Sequence, residues 1–159
     1  MSARAIIGDI FEIQTEAGCA YAQYTHKHQM YGALLRVSRG LYKTLPTDFC
    51  ALIQPPPILI TFFPLGAALN RNIVRKIAHC PIPSHSSAFP TFKAGTPNKE
   101  GTVENWWLWD GEREWRPSRL SKTELTYPTR GVVNDTMLIS LILKSNVNTS
   151  ESIAKNKHD

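Results

Sequence analysis

Cysteine is scarce in this chain: three residues, at 19, 50 and 80. An odd, irregularly spaced set is not the framework of a small disulfide-stapled domain. Long apolar runs are missing too. The longest, Met137 to Leu143, is broken by Ser140 and falls far short of the ~20 residues a bilayer requires. The opening MSARAIIGDIFEI has neither the apolar core nor the small-residue cleavage site of a secretory signal. The expectation is therefore a cytoplasmic protein that does not engage a membrane. Cys-x-x-Cys, His-Glu-x-x-His, Gly-x-Ser-x-Gly and both phosphate-binding glycine patterns are absent, which removes the usual local signatures of zinc, hydrolase and nucleotide sites.

What is present suits one globular domain. The chain has 159 residues, 42% hydrophobic and 19% charged, a length at which a single core stands without staples. Lys and Arg number 18 against 13 acidic residues, a formal charge of +5. The only basic groupings are Arg36/Arg39/Lys43 and Arg71/Arg75/Lys76. Neither is the run of five or six expected of a nucleic-acid tail, so the charge permits a polyanionic partner without requiring one.

The pattern of elements begins with strands. Residues 8–13 (GDIFEI) and 20–25 (AYAQYT) flank a turn at Thr15–Gly18 and predict a β-hairpin. Ala33–Val37 predicts a third strand of an antiparallel meander. Thr47–Ile53 follows Pro46 as a short helix, ended by Pro55-Pro56-Pro57. Ile58–Phe63 (ILITFF) is continuously apolar, as in a strand buried on both faces, and Asn72–Ala78 predicts a further strand. Pro81–Gly101 is too long for a plain turn, and Phe89 and Phe92 are expected to pin it to the body. Ser121-Lys122-Thr123-Glu124 has capping-box spacing. Asn134-Asp135 can cap a helix carrying Met137, Leu138, Leu141 and Ile142. Residues 145–159 are polar and predict a disordered tail, leaving 1–144 as one domain. The fold class is α+β: mainly antiparallel β, a meander or small barrel-like sheet, with one to three short helices.

The sharpest local signal is residues 105–115 (NWWLWDGEREW), with four Trp around Asp110-Gly111. Asp-Gly favours a two-residue hairpin turn. That register pairs Trp109 with Glu112, Leu108 with Arg113, Trp107 with Glu114 and Trp106 with Trp115. Trp106, Leu108, Arg113 and Trp115 then face the core, while Trp107, Trp109, Glu112 and Glu114 form a partly exposed aromatic-acidic face. Tryptophan concentrates in binding hot spots, so these last four are the candidate partner-binding residues. Alternatively, Glu112 and Glu114 beside indoles give a sugar platform or an acid–base pair.

Other candidate chemistry is thinner. His26-x-His28 has metal-compatible spacing, with Cys19, Cys50, His79, Cys80 and His85 as possible completions, but these sit in unrelated elements. They are read as hydrogen-bonding histidines, with no metal and no cofactor expected. Cys80 follows His79 directly, and adjacent strand residues point to opposite faces. Ser84-His85-Ser86-Ser87 puts hydroxyls near a histidine without a strained elbow to present them.

The order of several of these features resembles a bacterial family, the twenty-sixth class of immunity proteins of polymorphic toxin systems. The resemblance runs through the Gly8–Ile13 opening, the Gly18 turn, the aromatic strand Tyr21–Tyr24, and Ile58–Phe63. It continues through Ile73-Val74, the Pro83–Phe92 segment, Trp107-Leu108-Trp109-Asp110-Gly111 and Val132–Ile142. It implies a small cytoplasmic protein that binds and blocks a toxin without cofactor or turnover. Two other classes compete. A basic nucleic-acid-binding β domain would use Arg36, Arg39, Lys43, Arg71, Arg75 and Lys76 on phosphates, with Tyr24 or Tyr31 stacking on bases. A small hydrolase or carbohydrate-active protein would use Glu112 and Glu114, or His85.

Overall fold

The computed structural model describes residues 4–156. Alternating apolar and polar residues produce the opening meander of β1 (Asp9–Thr15), β2 (Gly18–His28) and β3 (Gly32–Val37). β4 (Leu59–Phe62) adds beside β3 and β5 (Val74–His79) beside β1. The sheet order is β4-β3-β2-β1-β5, antiparallel throughout. It is an open sheet, not a barrel, and its two edges are the strands furthest along the chain.

Both faces are covered, for different reasons. On one, Phe11, Ile13, Ala20, Ala22, Leu35 and Val37 present the inward half of the alternation. They are closed over by α2 (Leu65–Asn70) and α4 (Asp135–Asn156), through Leu65, Ala68, Leu69, Leu138 and Ile142. Asn134 starts α4, its Oδ1 accepting the Met137 N–H at 2.8 Å. On the other face, Ile10 and Tyr21 meet α1 (Phe49–Leu52), which Asp48 caps by accepting the Ala51 N–H at 3.0 Å. The Phe49 ring meets Tyr21 edge-on at 5.1 Å.

That second face also buries charge. Glu12 accepts from the Tyr21 hydroxyl at 3.1 Å and pairs with Arg75 at 3.1 Å. Burial and the Glu12 carboxylate together push the Tyr21 phenol up to about 12. On the first face, the side that carries Phe11 and Ile13, Asp9 is fully buried and accepts the Ile6 N–H at 3.0 Å, His79 Nδ1 at 2.8 Å and Lys76 Nζ at 3.3 Å. Burial opposes its ionisation, but those three donors outweigh it and hold the carboxyl below its usual range.

A second, smaller sheet packs against the far end of this face: β6 (Phe92–Ala94), β7 (Trp107–Trp109) and β8 (Glu114–Trp115), in that order. α3 (Lys122–Leu125) follows, with the reciprocal Ser121/Glu124 capping box that its sequence predicts. Residues 128–133 then run as a strap between the sheets. Lys93 N–H donates to the Pro128 carbonyl and Arg130 N–H to that of Lys93, while Val133 N–H donates to the Phe62 carbonyl. The strap is thereby tied to both β6 and β4.

Two expectations change. Cys50 and Cys80 form a disulfide, leaving Cys19 as the free cysteine. The irregular spacing hid it because the bond joins α1 to the residue just after β5, two elements that meet only when the sheet forms. α4 continues through Asn156, so residues 145–156 extend a helix where a disordered tail is expected; 157–159 lie outside the described residues. After β4 ends at Phe62, Pro64 caps α2, since proline is tolerated at a helix start. Among the described residues no helix is long and apolar enough to cross a membrane.

Candidate functional site

The small sheet gathers the aromatic residues. Trp109 is 6% exposed and lies among His28 at 4.9 Å, Tyr31 at 5.0 Å, Phe92 at 5.5 Å and Phe89 at 5.7 Å between ring centroids. Phe62 stacks on Phe92 at 5.3 Å beneath them. The two phenylalanines thus pin the proline-rich segment, as the sequence predicts. A bulge on β2 between Tyr24 and His26 inverts the alternation there. It turns His26 and His28 toward Phe89, at 5.7 Å and 6.0 Å.

The hairpin register differs from the sequence expectation. Trp109 pairs with Glu114 and Leu108 with Trp115, so residues 110–113 form the loop. Asp110 causes this: its Oδ1 accepts the Glu112 and Arg113 N–H groups at 3.0 Å and 2.8 Å, folding an Asx turn that lengthens the connection. Those two donors hold the Asp110 carboxyl below its usual range. Gly111, at φ +100°, closes the loop. A Cβ there would sit 2.8 Å from the Phe89 ring. The Gly111 carbonyl accepts the His28 Nε2–H at 2.9 Å, and His28 Nδ1 accepts the Met30 and Tyr31 N–H groups.

Because the shift is by an even number, the side-chain partition survives while its burial is rearranged. Leu108 is buried on one side, but so is Trp109 on the other, against the aromatic cluster. This corrects the placing of Trp109 on an exposed face. Trp107 and Trp115 remain outside, at 38% and 41% exposure. Trp115 was expected in the core. Trp106 is half-buried beneath the Lys93 ammonium, 4.9 Å from its ring. Glu112 lies exposed in the loop, and Glu114 on β8 accepts from Arg130 at 2.8 Å.

Trp107 lines one of three depressions that adjoin through shared residues. A polar cavity of about 450 Å³ is lined by Trp107, Glu104, Glu114, Asn98, Asn105 and Arg130 among others. Arg130 also lines an apolar groove of about 580 Å³ between the outer edge of β4, the strap and α4, with Ile58, Leu59, Ile60, Met137 and Leu141. Glu104 and Asn105 continue from the polar cavity into a third hollow of about 580 Å³ with Trp106, Arg116, Leu120 and Leu125. Gly95 lines the same cavity, and a Cβ there would collide with the Val103 side chain. Asn98 and Glu104 come from the β6–β7 connection and Arg130 from the strap, with no local motif, and sequence reasoning missed them.

The basic residues are not assembled into one surface. Arg36 is buried, its Nε donating to Thr25 Oγ1 at 3.2 Å and its NH2 to the Ala88 carbonyl at 2.9 Å. Burial lowers its pKa. Arg39 and Lys43 follow β3 and are exposed, whereas Arg71, Arg75 and Lys76 lie around β5. Two strands separate β3 from β5, a span of about 14 Å at ~4.8 Å per strand. Arg75 and Lys76 are moreover engaged by Glu12 and Asp9.

The histidines and hydroxyls serve the scaffold. His26 Nε2 bonds the Ser87 carbonyl at 3.0 Å; burial, reinforced by Arg36, outweighs that carbonyl and pulls its pKa down. His85 Nε2 donates to the Gln54 carbonyl at 2.7 Å and its Nδ1 accepts from Ser86 Oγ at 2.8 Å. Ser86 is buried, and the cavity beside it is about 10 Å³, room for roughly one water. His79 points to Asp9 while Cys80 is bonded to Cys50, so the two neighbours do part to different partners. Among the described residues no group of three or more His, Cys, Asp or Glu is placed to hold a metal ion. Comparison with family models, with curated proteins and with solved structures finds no match to this chain.

Proposed function

We propose that the protein is a non-catalytic protein-binding module, of the immunity type, that neutralises a partner by covering it. The observation that carries this reading is the set of three adjoining depressions that share Arg130, Glu104 and Asn105. It sets large exposed side chains, Trp107, Leu125 and Met137, at 38%, 49% and 51% exposure, among fixed charges such as Glu114–Arg130. Tryptophan and arginine beside apolar hollows, rimmed by polar groups, are the composition of an interface centre. Glu112, on the loop beside β8, belongs to the rim.

The toxin-blocking form of this reading rests on the order of sequence features, and it goes with a cytoplasmic location. The Cys50–Cys80 bond favours an oxidising compartment instead. Thiol trapping in cells, followed by mass measurement, decides between the two. For the function itself, the test is co-purification of tagged protein with candidate toxins, alongside a salt series with short DNA and RNA. A stoichiometric protein complex weakened by Trp107→Ala and Met137→Glu supports the module. Affinity for nucleic acid that collapses with salt and with Arg71→Ala overturns it in favour of the basic domain.

A further inference from the structure

The polar cavity beside Trp107 has a chemistry of its own, and we propose that it binds a neutral saccharide of one or two rings. Its volume, about 450 Å³, lies within the ~300–1,000 Å³ range of small-molecule sites. The lining selects among ligand classes. An anion would meet the Glu104 and Glu114 carboxylates, and a cation would meet Arg130. An apolar ligand would strip water from those groups and from the Asn98 and Asn105 amides without replacing its hydrogen bonds. A neutral ring bearing hydroxyls avoids all three penalties, since each hydroxyl both donates and accepts.

The polar groups are already held in place. Arg130 donates to Glu114 at 2.8 Å and Asn98 Nδ2 to Glu104 Oε1 at 3.1 Å. Asn98 Oδ1 in turn accepts the Glu100 and Thr102 N–H groups at 2.9 Å and 3.0 Å, which fixes the amide's orientation. Arg116 donates to Asn105 Oδ1. Acceptors and donors therefore stand in fixed pairs around one half-exposed indole, and ordering them costs the ligand little. Trp107 supplies the apolar surface on which the C–H face of a pyranose ring packs. The acidic partner of Glu114 here is Glu104, not Glu112, which the turn carries away. The site does not depend on the protein-binding reading, because it is tested on the isolated chain.

The experiment is a titration of the full chain, ¹⁵N-labelled, followed through the indole N–H signals of its four tryptophans. The probes are glucose, galactose, mannose, N-acetylglucosamine and the β1–4-linked dimers cellobiose, lactose and chitobiose. Trp107→Phe assigns the Trp107 signal, and an unmoved Trp109 signal shows that each variant is folded. The expected result is a saturable shift of the Trp107 signal with at least one probe, and binding weakened about fivefold or more by Glu104→Gln, which exchanges a charged acceptor for a neutral one, and by Asn98→Ala, which removes the amide and releases the Glu100 and Thr102 N–H groups. An unmoved Trp107 signal with every probe at about 50 mM, well above a millimolar Kd, overturns the proposal. So does binding that both variants leave intact.

Discussion

Replacing Trp109 and Trp107 in turn by alanine separates the two roles that the small sheet gives to neighbouring indoles. Trp109 is 6% exposed and surrounded by five aromatic rings. Burial of an indole removes ~150–250 Å² from water, worth about 4–6 kcal/mol at ~25 cal/mol per Å² as an upper bound. Core Trp-to-Ala substitutions cost about 3–5 kcal/mol once the cavity is included. For a chain of this size each kcal/mol lowers the melting temperature by roughly 2–4 °C. Trp109→Ala should therefore melt about 6–20 °C below the parent chain. Trp107, at 38% exposure, leaves no enclosed cavity when truncated because water fills the space; its loss should cost about 2 kcal/mol, and no more than about 4 by the same area reckoning. Calorimetry and urea denaturation measure both, and the urea slopes show whether the comparison is two-state. If Trp107→Ala destabilises as much as Trp109→Ala, Trp107 is as deeply packed as Trp109, its neighbour on the same side of β7, and the binding face loses its exposed central residue.

Reduction of Cys50–Cys80, or the double change to alanine, opens a loop whose ends are 30 residues apart. Chain entropy sets the expected loss at about 3–4 kcal/mol, with amide exchange rising first in α1, and a melt that reductant leaves unchanged counts against the tether. Asp9 makes stability depend on acid. Its folded pKa lies below the unfolded value, so its contribution is fully present above about pH 4 and is lost as pH falls through the depressed folded value. The stability gap between the parent chain and Asp9→Asn should close on acidification; a gap that stays constant down to about pH 2 would refute the assignment.

The legible parts of this fold are those written in local chemistry. Alternation over residues 9–37 predicts the meander, Asp48 and the Ser121/Glu124 box mark two short helices, and Asn134 marks the start of α4. The same reasoning fails where a distant partner decides. Nothing near Cys50 announces Cys80. The Asp-Gly pair does sit in the turn, yet the Asp110 side chain, by capturing two further N–H groups, sets a longer loop than the pair alone implies. β6 was hidden in a segment rich in proline, serine and glycine, because Phe92–Ala94 becomes a strand only by pairing with β7 and the strap. Of the candidate site, Trp107 and Glu114 are readable from the hairpin. Asn98, Glu104 and Arg130 are not, since the folded β6–β7 connection and the distant strap bring them together.

The strap at residues 128–133 also has a consequence for the order in which the molecule is made. All five strands of the large sheet lie within the first 79 residues. The residues that close its far face, Leu138 and Ile142, and the strap that joins the sheets come at least 49 residues later, counting from 79 to 128. A chain emerging from the ribosome, N-terminus first, therefore has a complete set of strands while one hydrophobic face is covered by α2 alone and the outer edge of β4 is still bare. Closure waits for the last quarter of the sequence, and during that interval β4 is the edge most open to pairing with another nascent chain.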